Sequence, residues 1–430
     1  VRAIPEILIG PYIVGFDTLG YYVPNVLTWL REGVDYWYLI AVAPLFYVIL
    51  IGATSLGIPI VISLKVMPPL LHGFLALAVF LYARKALSWS PKKSLLVALL
   101  ATLYFVALRI SWDMLRNELG LTFLFVALTF LQRTGNHWKY TVFLSLAMIS
   151  VVLTHPLVAV IMFAIVAATI IRLRLDSKPF EMRRLVISSV PPALLFLVTV
   201  YANYVVSSSF SVVSGFPGKE SEGWLALFGF VSYFDMAANT LGFLVFCYLP
   251  LLPLVVLGAR HFGSNLQMKT WIFWILVAIS SALISPSAFI PGLYRWTLML
   301  TYPFAFFATE AIIHFRSNVY RIMIGLTLAT LTVGFTLLPS ESAFPYYTLF
   351  PYYVPTSMLQ NTVPSSDCRD TVNALQWLRS NMHNGARLLA HDAFYGWSLL
   401  TLDESQVIPI GYEDPEKMAQ ETTQNGTVHR

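Results

Sequence analysis

The run Leu157–Leu173, LVAVIMFAIVAATIIRL, decides the class of this chain. Its single charge, Arg172, sits at one end, and the turn Thr154-His155-Pro156 stands at the other. A helix needs about 20 apolar residues to cross a bilayer, so this run spans one if its ends extend into the flanks. Runs of the same kind lie at roughly 66–83, 93–110, 119–132, 140–154, 185–206, 237–258, 270–286, 294–314 and 321–338. Hydrophobic residues make up 57% of the chain and charged residues 11%, with a mean hydropathy of +0.70. A soluble chain carries about a quarter charged residues. The expected fold is therefore an all-α polytopic membrane protein with about ten transmembrane helices plus juxtamembrane helices, governed by bilayer rules.

The basic residues fix an orientation. One set of loops holds Arg84, Lys85, Lys92 and Lys93; Arg133 and Lys139; Arg172, Arg174, Lys178, Arg183 and Arg184; Arg260 and Lys269; Arg316 and Arg321. The alternate set holds Ser111 to Glu118, His155, Ser207 to Asp235 with Lys219, Ser287 to Tyr294, and everything after Pro339. By the positive-inside bias the first set is cytoplasmic and the second lies outside an integral plasma membrane protein. The net charge of +5 comes from these short loop runs and is no nucleic-acid signal. Cys247 and Cys368 form no Cys/His cluster and support neither a zinc site nor a disulfide framework.

Three units follow. Residues 1–65 form an outside loop with juxtamembrane or re-entrant helices; residues 37–63 are apolar enough to span, but a crossing would move Asp17 to the cytoplasmic side, so they are read as a helix pair broken near Gly57-Ile58-Pro59, with a true span as the alternative. Residues 66–338 are the transmembrane helical domain. Residues 339–430 are an outside linker, rich in Pro, Tyr and Ser up to Pro364, and a small C-terminal extracytoplasmic α/β domain. Within the latter, 368–382 has helical spacing, Asn384-Gly385 is a turn, Arg387 to Ala390 and Val407 to Ile410 are strands, and His391-Asp392 is a turn. Asn425-Gly426-Thr427 is a glycosylation sequon.

The chemistry concentrates in three outside stretches. Gly15-Phe16-Asp17-Thr18-Leu19-Gly20-Tyr21-Tyr22 places a carboxylate among Gly and aromatic residues at the membrane face. Such an acid is a functional candidate by default, set against a helix N-cap as the plainer role. Ser111-Trp112-Asp113-Met114-Leu115-Arg116-Asn117-Glu118 gathers two acids and an Arg at a hairpin end. It is either an interfacial cap with an Asp113–Arg116 pair or a partner to Asp17 that polarises the acceptor or binds a divalent cation, Mg²⁺ or Mn²⁺. Tyr294-Arg295-Trp296 puts an Arg at a helix entry, either as a phosphate clamp or as a snorkelling anchor. Lys65, ahead of Met67-Pro68-Pro69, is a second outside cation, and His155 is chiefly a helix cap.

Together these pieces resemble the GT-C superfamily of integral-membrane glycosyltransferases. Its members include protein O-mannosyltransferases, aminoarabinose transferases and oligosaccharyltransferase catalytic subunits. The resemblance implies a catalytic Asp in the first outside loop, matched by Asp17 with Tyr21 and Tyr22 beside it, and a second acid in the next outside loop, matched by Asp113. It also implies an Arg near the outside end of a late helix, matched by Arg295 ahead of Tyr302-Pro303. The family carries a helix before the first loop, so one is expected upstream of Val1. A complete WWDYG-type acceptor motif is lacking; Phe394-Tyr395-Gly396-Trp397 echoes it only faintly, which favours a monosaccharide transferase.

The implied activity is sugar transfer from a polyprenyl- or dolichyl-phosphate donor to a protein, lipid or glycan acceptor. Asp17 is the base, Arg295 with Lys65 or Arg116 holds the phosphate, and Tyr21, Tyr22, Glu118 and His155 stand behind them. The rivals are a secondary transporter or lipid flippase, which would show internal repeats and mid-membrane acids, and an inactive scaffold subunit of a surface-glycan complex.

Overall fold

The computed structural model describes residues 1–133, 137–210, 233–284, 293–337, 362–363, 365–383 and 385–410. Lys219, most of the linker and the Asn425 sequon lie outside the described residues. The chain starts with α1 (Ala3–Leu8), a π-helical turn (Thr18–Tyr22), α2 (Val23–Glu32), α3 (Tyr36–Ala41) and α4 (Leu45–Ser55). There follow α5 (Ile60–Lys85), α6 (Pro91–Leu103), α7 (Phe105–Asp113), α8 (Leu115–Leu131), α9 (Trp138–Val152), α10 (Pro156–Leu175) and α11 (Pro179–Phe210). Then come α12 (Tyr233–Tyr248), α13 (Leu252–Phe262), α14 (Leu266–Ile284), α15 (Leu293–Leu298), α16 (Thr301–His314) and α17 (Asn318–Leu337). The tail holds α18 (Cys368–Asn381), β1 (Leu388–Ala390), α19 (Asp392–Thr401) and β2 (Val407–Pro409).

Where they are described, the expected apolar runs fall on helix, interrupted at Tyr104 and by turns at 153–154, 249–251 and 299–300. Among the described residues five helical segments are long and apolar enough to cross a membrane, or up to seven if each of two bent pairs, α6–α7 at 59° and α12–α13 at 72°, is one span. The helices α4 and α9 are apolar but shorter than that limit, as is the segment Leu266–Ser281 of α14. Residues 37–63, expected as one helix pair, fold as α3, α4 and the start of α5, with α3 and α4 parted at Val42–Pro44. Gly57 takes φ +88° at the anticipated break, and α5 begins at Ile60. Lys65 therefore lies inside α5 rather than ahead of it, and the helical domain starts inside the first expected unit.

The break between α6 and α7 frees carbonyls that no helix satisfies. Thr102 O accepts from His72 Nε2 at 2.8 Å, and Leu103 O accepts from the Thr332 hydroxyl at 2.6 Å. The second bend, at Met114, replaces the expected outside loop Ser111–Glu118. That stretch is helical on both sides, and its Ser111, Asp113 and Glu118 are fully buried. At this bend Arg2 donates to Ser111 O and Trp112 O. The N-terminal segment thus covers the bend and ties off its carbonyls.

Side chains connect the loops at each end of the bundle. At one end Arg133 reaches Lys85 O, Lys93 pairs with Glu310 at 2.5 Å, His261 stacks on His314, and Arg321 donates to Ile313 O and Phe315 O. Four of the five basic loops therefore meet there. At the other end Leu45 N–H donates to Leu153 O and Asn203 to Ala41 O.

One buried cluster runs through the helical bundle. A second joins Ile13, Leu19, Tyr22, Phe46, Tyr47 and Leu64 to Trp112 and Leu115, and takes in Cys368, Leu375 and Trp397 from the tail. The tail is thus fastened to the first loop. Its α19, where a turn at His391-Asp392 was expected, is capped by His391 Nδ1 accepting from Ala393 N–H. A Cβ on Gly396 would stand 2.0 Å from Leu19 O, so only glycine lets α19 lie on the π-helical turn. The strands β1 and β2 pair in parallel, Leu388 opposite Val407, with α19 as the crossover. Cys247 and Cys368 are buried and are not joined in a disulfide.

Candidate functional site

The site begins with a glycine. Gly15 takes φ +109°, a region side chains avoid, and a Cβ there would lie 2.7 Å from Asp113 Cβ. This close approach lets Asp113 Oδ2 accept the backbone N–H groups of Phe16 at 3.1 Å and Asp17 at 3.4 Å. Its Oδ1 pairs with Arg109, four residues earlier on α7, and both side chains are sealed from solvent. The expected Asp113–Arg116 pair does not form. Asp113 instead fixes the backbone of the Asp17 loop, with Arg109 neutralising it. Arg109 escaped the sequence reading because it sits inside an apolar run; its i, i+4 spacing to Asp113 was the available signal.

Asp17 is 5% exposed. Its Oδ1 receives Arg295 Nη2 at 2.7 Å, across 278 residues of chain. Arg295 Nε donates to the Tyr294 hydroxyl at 3.0 Å, and the guanidinium lies over that ring. Its side chain keeps 22% exposure. Arg295 is thus directed at the carboxylate and is no snorkelling anchor. Burial raises the Asp17 carboxyl above its ordinary range; the Arg295 charge opposes this, and the Asp113 charge adds to it.

The other candidates take supporting places. Lys65 donates to Glu6 O at 2.8 Å and Tyr12 O at 2.9 Å, with Glu6 Oε2 at 3.7 Å. It braces the N-terminal segment. Arg116 donates to Val42 O and lies over the Tyr47 ring. His155 caps α10 by accepting from Leu157 N–H at 3.2 Å. Burial, aided by the charges of Arg116 and Arg295, holds its pKa well below the ordinary value, so it stays neutral. Tyr21 is half exposed and packs edge-on against Phe16, while Tyr22 is buried against Phe46 and Tyr47.

Glu118 Oε1 lies 2.5 Å from His72 Nδ1. His72 Nε2 must carry a proton, because the Thr102 carbonyl can only accept. One further proton therefore sits between ring and carboxylate. The pair supports the α6–α7 break; the sequence reading passed over His72, a lone imidazole in an apolar helix.

No group of three His, Cys, Asp or Glu comes together to hold a metal among the described residues. Asp113 already uses both oxygens on Arg109 and backbone N–H groups. The donor set does not fit a divalent cation shared by Asp17 and Asp113.

No family model and no curated protein sequence matches the chain. Among solved structures it is similar to ArnT from Cupriavidus metallidurans, solved bound to undecaprenyl phosphate. The two are 14% identical, with a TM-score of 0.55, over 98% of this chain and 86% of that one. At that identity the likeness is one of fold: the chain shares with that protein the all-α polytopic membrane fold that its apolar runs led one to expect.

Proposed function

We propose that this protein is a membrane glycosyltransferase that moves a sugar from a polyprenyl-phosphate-linked donor to an acceptor on the outer face, with Asp17 as general base and Arg295 as phosphate clamp. The observation that carries this reading is the Asp17–Arg295 pair at 2.7 Å. A carboxylate and a guanidinium 278 residues apart in sequence meet at one end of a bundle whose fold also occurs in a protein solved with undecaprenyl phosphate.

The acceptor attacks the anomeric carbon as its proton passes to Asp17. The carbon–phosphate oxygen bond breaks, and the lipid phosphate leaves with the electron pair, inverting the centre. A phosphate leaves without protonation, so one base suffices. The growing negative charge falls to Arg295, whose planar fork suits phosphate.

The test is transfer from lipid-phosphate sugars by purified protein in bilayers. Asp17→Asn lowers the rate about 10²–10⁴-fold, the scale of a lost general base, while donor binding persists. Arg295→Lys markedly weakens donor use, because an ammonium lacks the fork. If both variants turn over like wild type, the assignment is wrong.

A further inference from the structure

The Asp17 loop is tethered twice, by independent means. Its backbone hangs from Asp113 Oδ2 through the N–H groups of Phe16 and Asp17. Its carboxylate is held only by Arg295, among the described residues. Arg295 can therefore let go without the loop losing its place. Arg295 has its own anchor, from Nε to the Tyr294 hydroxyl, so it too keeps its place when the carboxylate leaves.

Both two-pronged faces of a guanidinium include an Nη, and here Nη2 is the atom on Asp17 while Nε is on Tyr294. A phosphate approaching the exposed part of Arg295 meets a cation already neutralised by a carboxylate. Two anions then compete for one charge in a site where Asp17 is almost sealed from water. A carboxylate held in an ion pair is also a poor base.

We propose that the Asp17–Arg295 ion pair is a latch opened by the donor: the phosphate of the lipid-linked sugar takes over Arg295 and leaves the Asp17 carboxylate free for the acceptor's proton. This rests on the function proposed above and adds an order to it. The donor binds first, and the base becomes competent only with a donor present. After transfer the lipid phosphate departs, the proton on Asp17 passes to water, and Arg295 closes on the carboxylate again.

The experiment is a double-mutant cycle on binding of undecaprenyl phosphate, with undecaprenol as the uncharged control, to wild type, Asp17→Asn, Arg295→Gln and the double variant. Asp17→Asn removes the competing anion, so the phosphate binds about five- to tenfold tighter, the scale of one partly buried ion pair. In the Arg295→Gln background the same substitution changes nothing, because no cation is left to compete for. The lipid chain keeps binding measurable in that background. The latch is overturned if Asp17→Asn leaves the affinity unchanged, or tightens it equally in both backgrounds, which is plain charge repulsion. If wild type binds undecaprenyl phosphate no better than undecaprenol, the phosphate clamp itself fails and the latch falls with it.

Discussion

Replacing Gly15 by alanine tests the geometry of the whole site with a single methyl group. The new Cβ would stand 2.7 Å from Asp113 Cβ and 3.0 Å from Thr18 Oγ1. Ordinary carbon contacts lie at about 3.5–4.0 Å, so the loop and α7 must part by about 1 Å. Asp113 cannot yield easily, since Arg109 holds it from the far side. The displacement therefore falls on the loop and strains the bonds from Phe16 N–H and Asp17 N–H to Asp113 Oδ2. The φ of +109° adds backbone strain of about 1–3 kcal/mol for any residue with a side chain. A misplacement of about 1 Å at a reacting group costs about 10²-fold in rate. Gly15→Ala is thus expected to insert and fold, to bind undecaprenyl phosphate through Arg295, and to transfer sugar about 100-fold more slowly. Saturation with donor should not restore the rate. The assay is transfer rate against donor concentration beside binding of the lipid phosphate. A wild-type rate in Gly15→Ala would show that Asp113 does not set the position of Asp17.

Asp113→Asn should be harsher on stability, because it breaks the sealed pair with Arg109; breaking a buried pair costs about 3–5 kcal/mol, read as a large fall in Tm in detergent. The proposed base role needs Asp17 in its charged form, and burial lifts its carboxyl above the ordinary 3.8 despite Arg295. Transfer at saturating donor should therefore fall with acid through a pKa higher than that, and an acidic limb at or below 3.8 would contradict the burial. His155→Asn keeps an acceptor for Leu157 N–H and should match wild type, whereas His155→Ala should lose about 1 kcal/mol, the value of a cap; equal losses in thermal unfolding would mean the ring does something else.

The contrast between Asp17 and Asp113 shows where sequence reading reaches its limit. Asp17 stood out locally, as an acid among glycine and aromatic residues at the edge of an apolar chain. Asp113 was legible as a partner, but its work on a backbone nearly 100 positions away was not. Lys65 and Arg116 carried the right charge for phosphate, yet folding turned them onto Glu6 and the carbonyls of Tyr12 and Val42. Phe394-Tyr395-Gly396-Trp397, faint as a motif, forms the helix that lies on the first loop.

By itself the sequence determined the membrane class, the placing of the helices, and the expectation of a GT-C-like fold with Asp17 and Arg295 in its site. The class and the helices follow from local quantities, the length of an apolar run and the clustering of Lys and Arg; the fold and its site residues were expected from a resemblance to the GT-C superfamily. Only the tertiary structure decided that Asp113 faces Arg109 rather than Arg116, that Glu118 shares a proton with His72, and that Arg295 lies on Asp17. Each is a choice among several partners of suitable charge. In a bundle of apolar helices that choice is made by which bends expose carbonyls and which side chains arrive to satisfy them, and this is settled by packing between segments far apart in the chain.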